Sequence, residues 1–209
     1  MRKSVKNERI EEIYSSALKV FAEKGFNKAT LDEIAEMVDI TKPALYFYFK
    51  SKDDLFFSLI KSRFLKLNEV LDNVFEQNID SMQKLKNYID TFLGFFKTNK
   101  NFFTILMNMP DFNFQFKNKN LRKRIRANMF EHITKIKNLI QQCMNDGYLQ
   151  KKNPYFYVFA LQGMLNQILF HSSHIKGFID MGDLEINTDD ILDMFINGAG
   201  TEKVREVLK

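Results

Sequence analysis

Residues 30–49, which read TLDEIAEMVDITKPALYFYF, carry the clearest structural signal in this chain. The pattern predicts two short helices separated by a tight connection. Thr30 can cap the first helix while Glu33 reaches back to it, which is the capping-box arrangement. Thr41 can cap the second helix, and Pro43 lies in its first turn, where a missing N–H costs nothing. These signals indicate a helix-turn-helix unit.

The connection between the two helices spans only residues 38–40, so it needs a residue that tolerates a positive φ. Asp39 is the best candidate for that conformation. Ala35 is small enough to let the second helix approach the first closely. The apolar residues expected to form the shared core of the pair are Ile34, Val38, Ile40 and Leu45.

Helical periodicity continues on both sides of this unit. Apolar residues between 10 and 21 recur at one-face spacing, and Gly25 follows as a helix end. A long helix should start at Ser51 and run to about Phe75. Further helices are predicted over 81–97, 102–107, 121–147 and 154–174, with a last one from Thr188. The chain of 209 residues has only 8 Gly and 3 Pro, which disfavours strands and their turns. We expect an all-α protein with an N-terminal three-helix head and a larger helical body.

Composition limits the setting but does not define the function. The formal net charge is +5, yet residues 1–60 carry ten basic and ten acidic side chains, so any nucleic-acid argument must rest on their placement. Cys143 is the single cysteine, which suits a reducing compartment. No signal-peptide or membrane-spanning stretch is recognisable. We therefore expect a cytoplasmic protein that does not enter the membrane.

The second helix of the unit should present a face suited to the major groove of DNA. Its outward side chains would be Thr41, Lys42, Ala44, Tyr46, Phe47 and Tyr48. Lys42 can reach a guanine edge or a phosphate, and Ala44 and Phe47 can touch a thymine methyl group. Tyr48 and Lys52 are placed for backbone phosphates, beside a basic arm formed by Arg2, Lys3, Lys6 and Arg9. A two-helix corner also occurs in ordinary cores, so the spacing alone leaves both interpretations open.

Three stretches of this chain resemble the head of the tetracycline-repressor (TetR) family. They are Phe21-Ala-Glu-Lys-Gly-Phe, Ala29-Thr-Leu-Asp-Glu-Ile-Ala35 and Ile40-Thr-Lys-Pro-Ala-Leu-Tyr-Phe-Tyr-Phe-Lys-Ser-Lys-Asp-Asp-Leu55. The resemblance covers roughly residues 8–60. It implies a DNA-binding domain over 1–51 and a ligand-binding and dimerisation domain over 52–209. It further implies a transcriptional regulator, released from a palindromic operator by a small hydrophobic effector.

The resemblance also assigns residues. It implies a phosphate contact at Thr30, and phosphate contacts at Tyr48 and Lys52. Groove contacts are implied at Thr41, Lys42, Pro43, Ala44, Tyr46 and Phe47. The sequence departs from the family pattern twice. Asp39 stands where glycine is usual, and Phe47 stands where histidine or another polar residue is common, which favours an apolar base contact.

The body carries a helix that is apolar on two faces, over residues 155–170. Val158, Leu161 and Leu165 define one face, and Phe159, Gly163 and Phe170 lie on another. Such a helix must be covered on both sides. A second subunit is the best cover for the outer face. Together with the last helix, this segment would form half of a four-helix bundle about a two-fold axis.

Aromatic residues on the body helices predict an apolar ligand pocket, although each of them could equally fill an ordinary core. The amides of Gln162 and Asn166 would add polar points to the wall, which would suit an acyl chain, an aromatic compound or a lipophilic drug. The predicted ligand-binding residues are Phe92, Phe96, Phe103, Met107, Phe112, Phe130, Phe159, Gly163, Asn166 and Phe170, with Phe102 nearby.

No catalytic motif is recognisable: the chain lacks a nucleophile elbow, a glycine-rich phosphate loop and zinc-hydrolase spacing. His171 and His174 have no third ligand near them in sequence, so we expect neither a metal nor another cofactor. The alternative to a DNA-binding regulator is a helical ligand carrier or interaction protein whose head does not bind DNA.

Overall fold

The computed structural model describes residues 2–108, 119–174 and 187–197. Within these ranges the chain is all-α, as predicted, and forms nine helices with no strand. They are α1 (Arg2–Lys28), α2 (Leu31–Met37), α3 (Lys42–Tyr48), α4 (Lys52–Phe75), α5 (Ser81–Thr98), α6 (Lys100–Met107), α7 (Lys119–Asn145), α8 (Pro154–His174) and α9 (Thr188–Asn197). None of the helices in this part of the chain combines the length and apolarity needed to cross a bilayer.

The end of α1 differs from the prediction. Gly25 has φ 73° and ψ 163°, so it does adopt the positive φ expected of a helix end. The helix nevertheless resumes after this kink and ends at Lys28. The resumed turn is held from outside, because the ammonium of Lys52 binds its carbonyl groups. Sequence periodicity does not show such a long-range cap.

The chain divides into two compact units. The first comprises residues 1–68 and 98–131. In it, α1 packs on α2 and α6, and α2 packs on α3. Aromatic rings fill its interior: the ring centroids of Phe21 and Phe56 are 5.0 Å apart, and those of Phe64 and Phe102 are 5.5 Å apart, both edge to face. The buried positions of α1 recur with helical spacing, at Ile13, Ala17, Val20 and Phe21.

The second unit comprises residues 69–97 and 132–209. Its described core consists of apolar stripes from α5, α7 and α8, with Ile191 from α9. Cys143 is fully buried here, with its Sγ 3.4 Å from the carbonyl oxygen of Ser81. Burial raises the pKa of the Cys143 thiol, so this cysteine acts as packing and is not a reactive group. The remaining stripe residues include Leu85, Tyr88, Ile89, Phe92, Ile136, Leu139, Ile140, Val158, Leu161 and Leu165.

Candidate nucleic-acid interface

Helix α2 starts with the predicted capping box. Thr30 is extended, with φ −117° and ψ 152°, and its hydroxyl oxygen accepts a hydrogen bond from the Glu33 amide at 3.3 Å. The Glu33 carboxylate in turn accepts from the Thr30 amide at 3.1 Å. Two N–H groups that would otherwise lack partners are thus satisfied, and Asp32 and Glu33 face the positive end of the helix dipole. The start of α2 is therefore fixed by local chemistry.

The connection between α2 and α3 has the backbone that the sequence predicted. Asp39 has φ 52° and is the only non-glycine residue with a positive φ among the described residues. The amide of Ile40 donates to the carbonyl of Ala35 at 3.0 Å, and that of Val38 donates to the same carbonyl at 3.2 Å. These bonds close the end of α2 in a helix-ending turn of the left-handed type. The positive φ of Asp39 alone reverses the chain direction, and α3 can start soon afterwards.

Helix α3 is held by one cap and one buried side chain. The Thr41 hydroxyl accepts from the amide of Ala44 at 3.3 Å, and a proline occupies the first turn. Leu45 is fully buried. Ile34, Ala35 and Val38 are buried on α2, whereas Ile40, predicted as part of the same core, is only half-buried. With one face anchored in this way, the other face of α3 is left to solvent.

The exposed face of α3 carries most of the predicted groove residues. Thr41, Lys42, Pro43, Tyr46 and Phe47 are exposed, and Ala44 and Tyr48 are half-buried. The ring of Phe47 is 78 % exposed, although an apolar ring of this size usually finds cover. The exposed rings of Phe47 and Tyr46 form an aromatic surface. A binding partner could bury this surface.

The cations around α3 are positioned by neighbouring side chains. The Nζ of Lys42 lies 2.7 Å from a carboxylate oxygen of Asp32, and this ion pair raises the pKa of Lys42. The Nζ of Lys6 lies 5.8 Å from the ring centroid of Phe47. Arg9 bridges the Glu12 carboxylate at 2.8 Å and the Val38 carbonyl at 3.2 Å. Positive charge therefore flanks the aromatic surface on both α1 and α3.

In the structure, the ammonium of Lys52 is bound within the protein and does not extend freely toward solvent, as a phosphate contact would require. Its ammonium donates to the carbonyl oxygens of Phe26, Asn27 and Ala29, at 2.8, 3.3 and 3.0 Å. It also lies 4.7 Å from the ring centroid of Phe26. A cation at the C-terminal end of a helix is favourable because the helix dipole is negative there. Lys52 thus joins the start of α4 to the end of α1, and its predicted phosphate contact stays a prediction, as does that of the exposed Thr30.

The predicted ligand residues divide by burial. Phe92, Phe96 and Phe103 are buried, and the ring centroids of Phe92 and Phe96 are 4.8 Å apart. Phe102, named with them, is buried as well. Met107, Asn166 and Phe170 are half-buried, while Phe130, Phe159 and Gly163 are exposed. Phe112 lies outside the described residues. The assignment of these ten residues to a pocket stays a prediction.

Sequence reasoning missed a buried polar chain in the second unit. Gln162 Nε2 donates to the Tyr88 hydroxyl, whose oxygen lies 3.4 Å from Nε2 of His132. Tyr88 is fully buried and His132 is 8 % exposed. The signal was present in α7, where positions 132, 136, 139, 140 and 143 form one helical stripe, so His132 stands where a core residue belongs.

A separate surface cleft in the second unit has a volume of about 320 Å³. Its lining is mainly polar and includes the ion pair between Lys135 and Asp72, at 2.6 Å. Phe75 also lines it, and the ring of Phe75 stacks on Tyr88 with centroids 5.9 Å apart. None of the ten predicted ligand residues lines this cleft. Within the described residues, no group of three or more acidic, histidine or cysteine side chains could hold a metal ion.

A capped helix pair with a tight reversal, whose second helix exposes polar and aromatic side chains, defines the helix-turn-helix class of DNA-binding fold. Residues 13–59 match the profile of a family described as bacterial regulatory proteins, tetR family. The N-terminal part of the chain is therefore similar to the DNA-binding domain of that family.

Two curated relatives resemble the N-terminal part. The chain is 38 % identical over 61 residues to IcaR of Staphylococcus aureus, the HTH-type negative transcriptional regulator of the biofilm operon icaADBC; the match covers 29 % of this chain and 33 % of IcaR. It is 28 % identical over 90 residues to the HTH-type transcriptional activator FasR of Mycolicibacterium smegmatis, over 43 % of this chain and 41 % of FasR. The chain thus spans less than half the length of either relative.

Over most of its length the chain resembles a known structure in fold. The transcriptional regulator FadR from Bacillus subtilis, solved in complex with stearoyl-CoA, matches with a TM-score of 0.74 at 17 % identity. The match covers 91 % of this chain and 99 % of that one. At this level of identity the likeness establishes a shared fold.

Proposed function

We propose that this chain is a ligand-responsive transcriptional repressor that binds a palindromic DNA operator as a homodimer. The observation that carries the proposal is the face of α3, where Thr41, Lys42 and Phe47 are exposed on a helix capped at its start and anchored by Leu45. Base edges are read by such side chains, and flanking cations serve the phosphates. In this proposal residues 1–51 form the DNA-binding domain and residues 52–209 form the ligand-binding and dimerisation domain.

The two faces of α8 support the homodimer. Val158, Leu161 and Leu165 are fully buried within the chain, whereas Phe156 and Phe159 are each 61 % exposed. Helix α9 likewise exposes two apolar side chains, Met194 and Ile196. The two helices are neighbours, since the ring centroids of Tyr157 and Phe195 are 6.0 Å apart. A second copy related by a two-fold axis would cover this surface and complete a four-helix bundle.

Dimerisation gives the DNA contact its specificity. A single recognition helix touches few bases, and two of them on a symmetry axis read both halves of a palindrome. In simple helix-turn-helix dimers the half-sites lie about 34–36 Å apart. The operator is therefore expected to be a palindrome with half-sites at comparable spacing.

The effector is proposed to be an acyl thioester, whose long hydrocarbon chain is apolar. The stearoyl-CoA bound to the similarly folded FadR supports this choice, as do the buried aromatic residues around Phe92. Binding would favour a conformation in which α4 turns the head away from the DNA. Within the first unit α1 is tied to α4, because Glu11 pairs with Arg63 at 3.2 Å and with Lys66 at 2.8 Å. A preference of about 1–3 kcal/mol for the released state is enough to weaken DNA binding substantially.

The DNA-binding half of the proposal can be tested with duplexes selected from a random library by the purified protein. The selected sequence should be palindromic, and the logarithm of the binding constant should fall steeply with the logarithm of salt concentration, by about 0.9 for each phosphate contacted. Lys42→Ala and Tyr48→Ala should weaken binding while the circular dichroism spectrum is unchanged. Lys61→Ala, an exposed lysine of α4, is the matched control. Weak binding with no selected sequence would favour the alternative, a helical ligand carrier without DNA binding.

The regulatory half requires transcription in vitro from a promoter that carries the selected operator. The protein should lower transcript yield, and stearoyl-CoA should restore it. A rise in transcription on adding the protein would instead make the chain an activator, the role named for FasR. Equal operator affinity with and without bound stearoyl-CoA would exclude the proposed release.

A further inference from the structure

The buried chain of Gln162, Tyr88 and His132 favours one placement of its protons. The amide Nε2 of Gln162 donates to the Tyr88 oxygen. The Tyr88 hydroxyl has one proton, and among the described residues its other hydrogen-bond neighbour is Nε2 of His132, at 3.4 Å; the arrangement that satisfies this proton has Tyr88 donating to Nε2. A neutral imidazole that accepts at Nε2 carries its own proton at Nδ1. The order of donors therefore runs from Gln162 through Tyr88 to the Nδ1–H group of His132.

This chain of donors ends without an acceptor. The Nδ1 atom of His132 is buried and has no hydrogen-bond partner in the described structure. The imidazole lies against aromatic rings: it stacks on Phe92 at a centroid distance of 6.1 Å, and Phe92 contacts Phe96. An unsatisfied buried donor costs stability. Packing of the second unit does not require this unsatisfied donor, because an apolar residue at position 132 would fill the same stripe of α7.

We propose that the Nδ1–H group of His132 is the donor that recognises a carbonyl oxygen at the end of an effector's apolar chain. The inference rests on the proposed function, since it places effector recognition in the second unit. An acyl thioester carries such an oxygen next to a long apolar chain. Burial, together with the nearby Lys135, lowers the pKa of His132 to about 4, so the imidazole is neutral near pH 7 and suits a neutral acceptor. Tyr88 and Gln162 are positioning residues, which act by fixing the tautomer.

The tautomer can be measured without any ligand. The protein has three histidines, so long-range ¹H–¹⁵N correlation spectra of histidine-labelled protein are simple, and His132→Asn assigns the signal of His132. The expected spectrum shows a protonated Nδ1 and an unprotonated Nε2. A proton on Nε2 would overturn the inference.

Recognition of the oxygen is tested with two matched probes. Stearoyl-CoA has the thioester carbonyl, and S-octadecyl-CoA, its thioether, lacks it. By calorimetry the wild-type protein should bind the thioester about three- to tenfold more tightly, the range expected for one net hydrogen bond. His132→Phe should bind both probes alike, at the affinity that the wild type shows for the thioether. Tyr88→Phe should lose part of the preference, and it serves as the test if the phenylalanine variant of His132 does not fold.

The remaining outcomes are also decisive. Equal binding of both probes by the wild type would overturn the inference, and this is the result expected if a buried water satisfies Nδ1. If neither CoA probe binds, 2-undecanone and undecane form the second pair, compared by thermal shift. A preference for the ketone that disappears in the His132 variant would keep the inference and refute the acyl-CoA effector. Absence of a preference in both pairs would refute the inference, whatever the DNA-binding experiments show.

Discussion

Replacing Lys52 with methionine separates the two roles considered for this residue. The sequence predicts a phosphate contact, whereas in the structure the ammonium binds three carbonyl oxygens near the end of α1. Methionine keeps much of the length of the side chain and removes the charge. The two roles predict opposite patterns in stability and in DNA binding.

The magnitude follows from the contacts. Lys52 is half-buried, so water can replace part of its hydrogen bonding once the ammonium is gone. A cation at a helix C-terminus contributes about 0.3–1 kcal/mol near the surface. The cation–π contact with Phe26 contributes about 0.5–1 kcal/mol at an exposed site. We therefore expect Lys52→Met to lower the free energy of unfolding by about 1–2 kcal/mol.

The assay combines urea unfolding at a fixed protein concentration with DNA binding over a range of salt. If Lys52 is a cap, stability falls and the slope of the log–log salt plot is unchanged. If it grips a phosphate, the slope falls by about 0.9 per subunit contact and stability is unaffected. Lys61→Met, on the exposed side of the same helix, controls for the loss of charge and should change neither quantity. An unchanged unfolding curve for Lys52→Met would refute the capping argument.

Three further predictions concern stability and assembly. Asp39→Gly should raise the free energy of unfolding by about 0.5–1 kcal/mol, because glycine adopts the observed φ of 52° without strain. Asp39→Ala is the control, and a glycine variant less stable than the alanine variant would contradict the reasoning. Phe159→Glu places a charge on the exposed face of α8 and should convert the proposed dimer to monomers in sedimentation at micromolar concentration. Leu65→Glu on α4 should leave the dimer intact. If both variants sediment with the same molecular mass, the proposed α8 interface is excluded. Because the folded pKa of His132 is about 4 and that of an unfolded histidine about 6.5, the unfolded chain binds the proton more readily, and stability should fall by about 3 kcal/mol as the pH drops from 7 to 4. His132→Asn should show a smaller fall in urea titrations over the same range, and a parallel fall would place the titration elsewhere.

The sequence predicts the head well because its determinants are local. The capping box at Thr30, the cap at Thr41 and the positive φ at Asp39 each depend on residues within a few positions of one another. Propensity and capping rules describe interactions of that range. The helix order of the body was also predictable, since it follows from apolar periodicity alone.

The features that were missed depend on contacts between distant residues. The cap on α1 comes from Lys52, more than twenty residues away. The polar chain in the second unit joins three helices, at Tyr88, His132 and Gln162. A lone histidine in a helical stripe shows neither its partners nor its tautomer in sequence. Packing has to bring the three helices together before the chemistry of that chain can be recognised.

The bare ring of Phe47 has a consequence for how an operator base would be read. A phenyl group offers no hydrogen bond, so a base beneath it is distinguished by its methyl group. Thymine and 5-methylcytosine both carry that methyl in the major groove and would serve alike there, while uracil would not. Enclosing the ring would also give specific binding a negative heat-capacity change, which separates it from loose electrostatic association with any duplex.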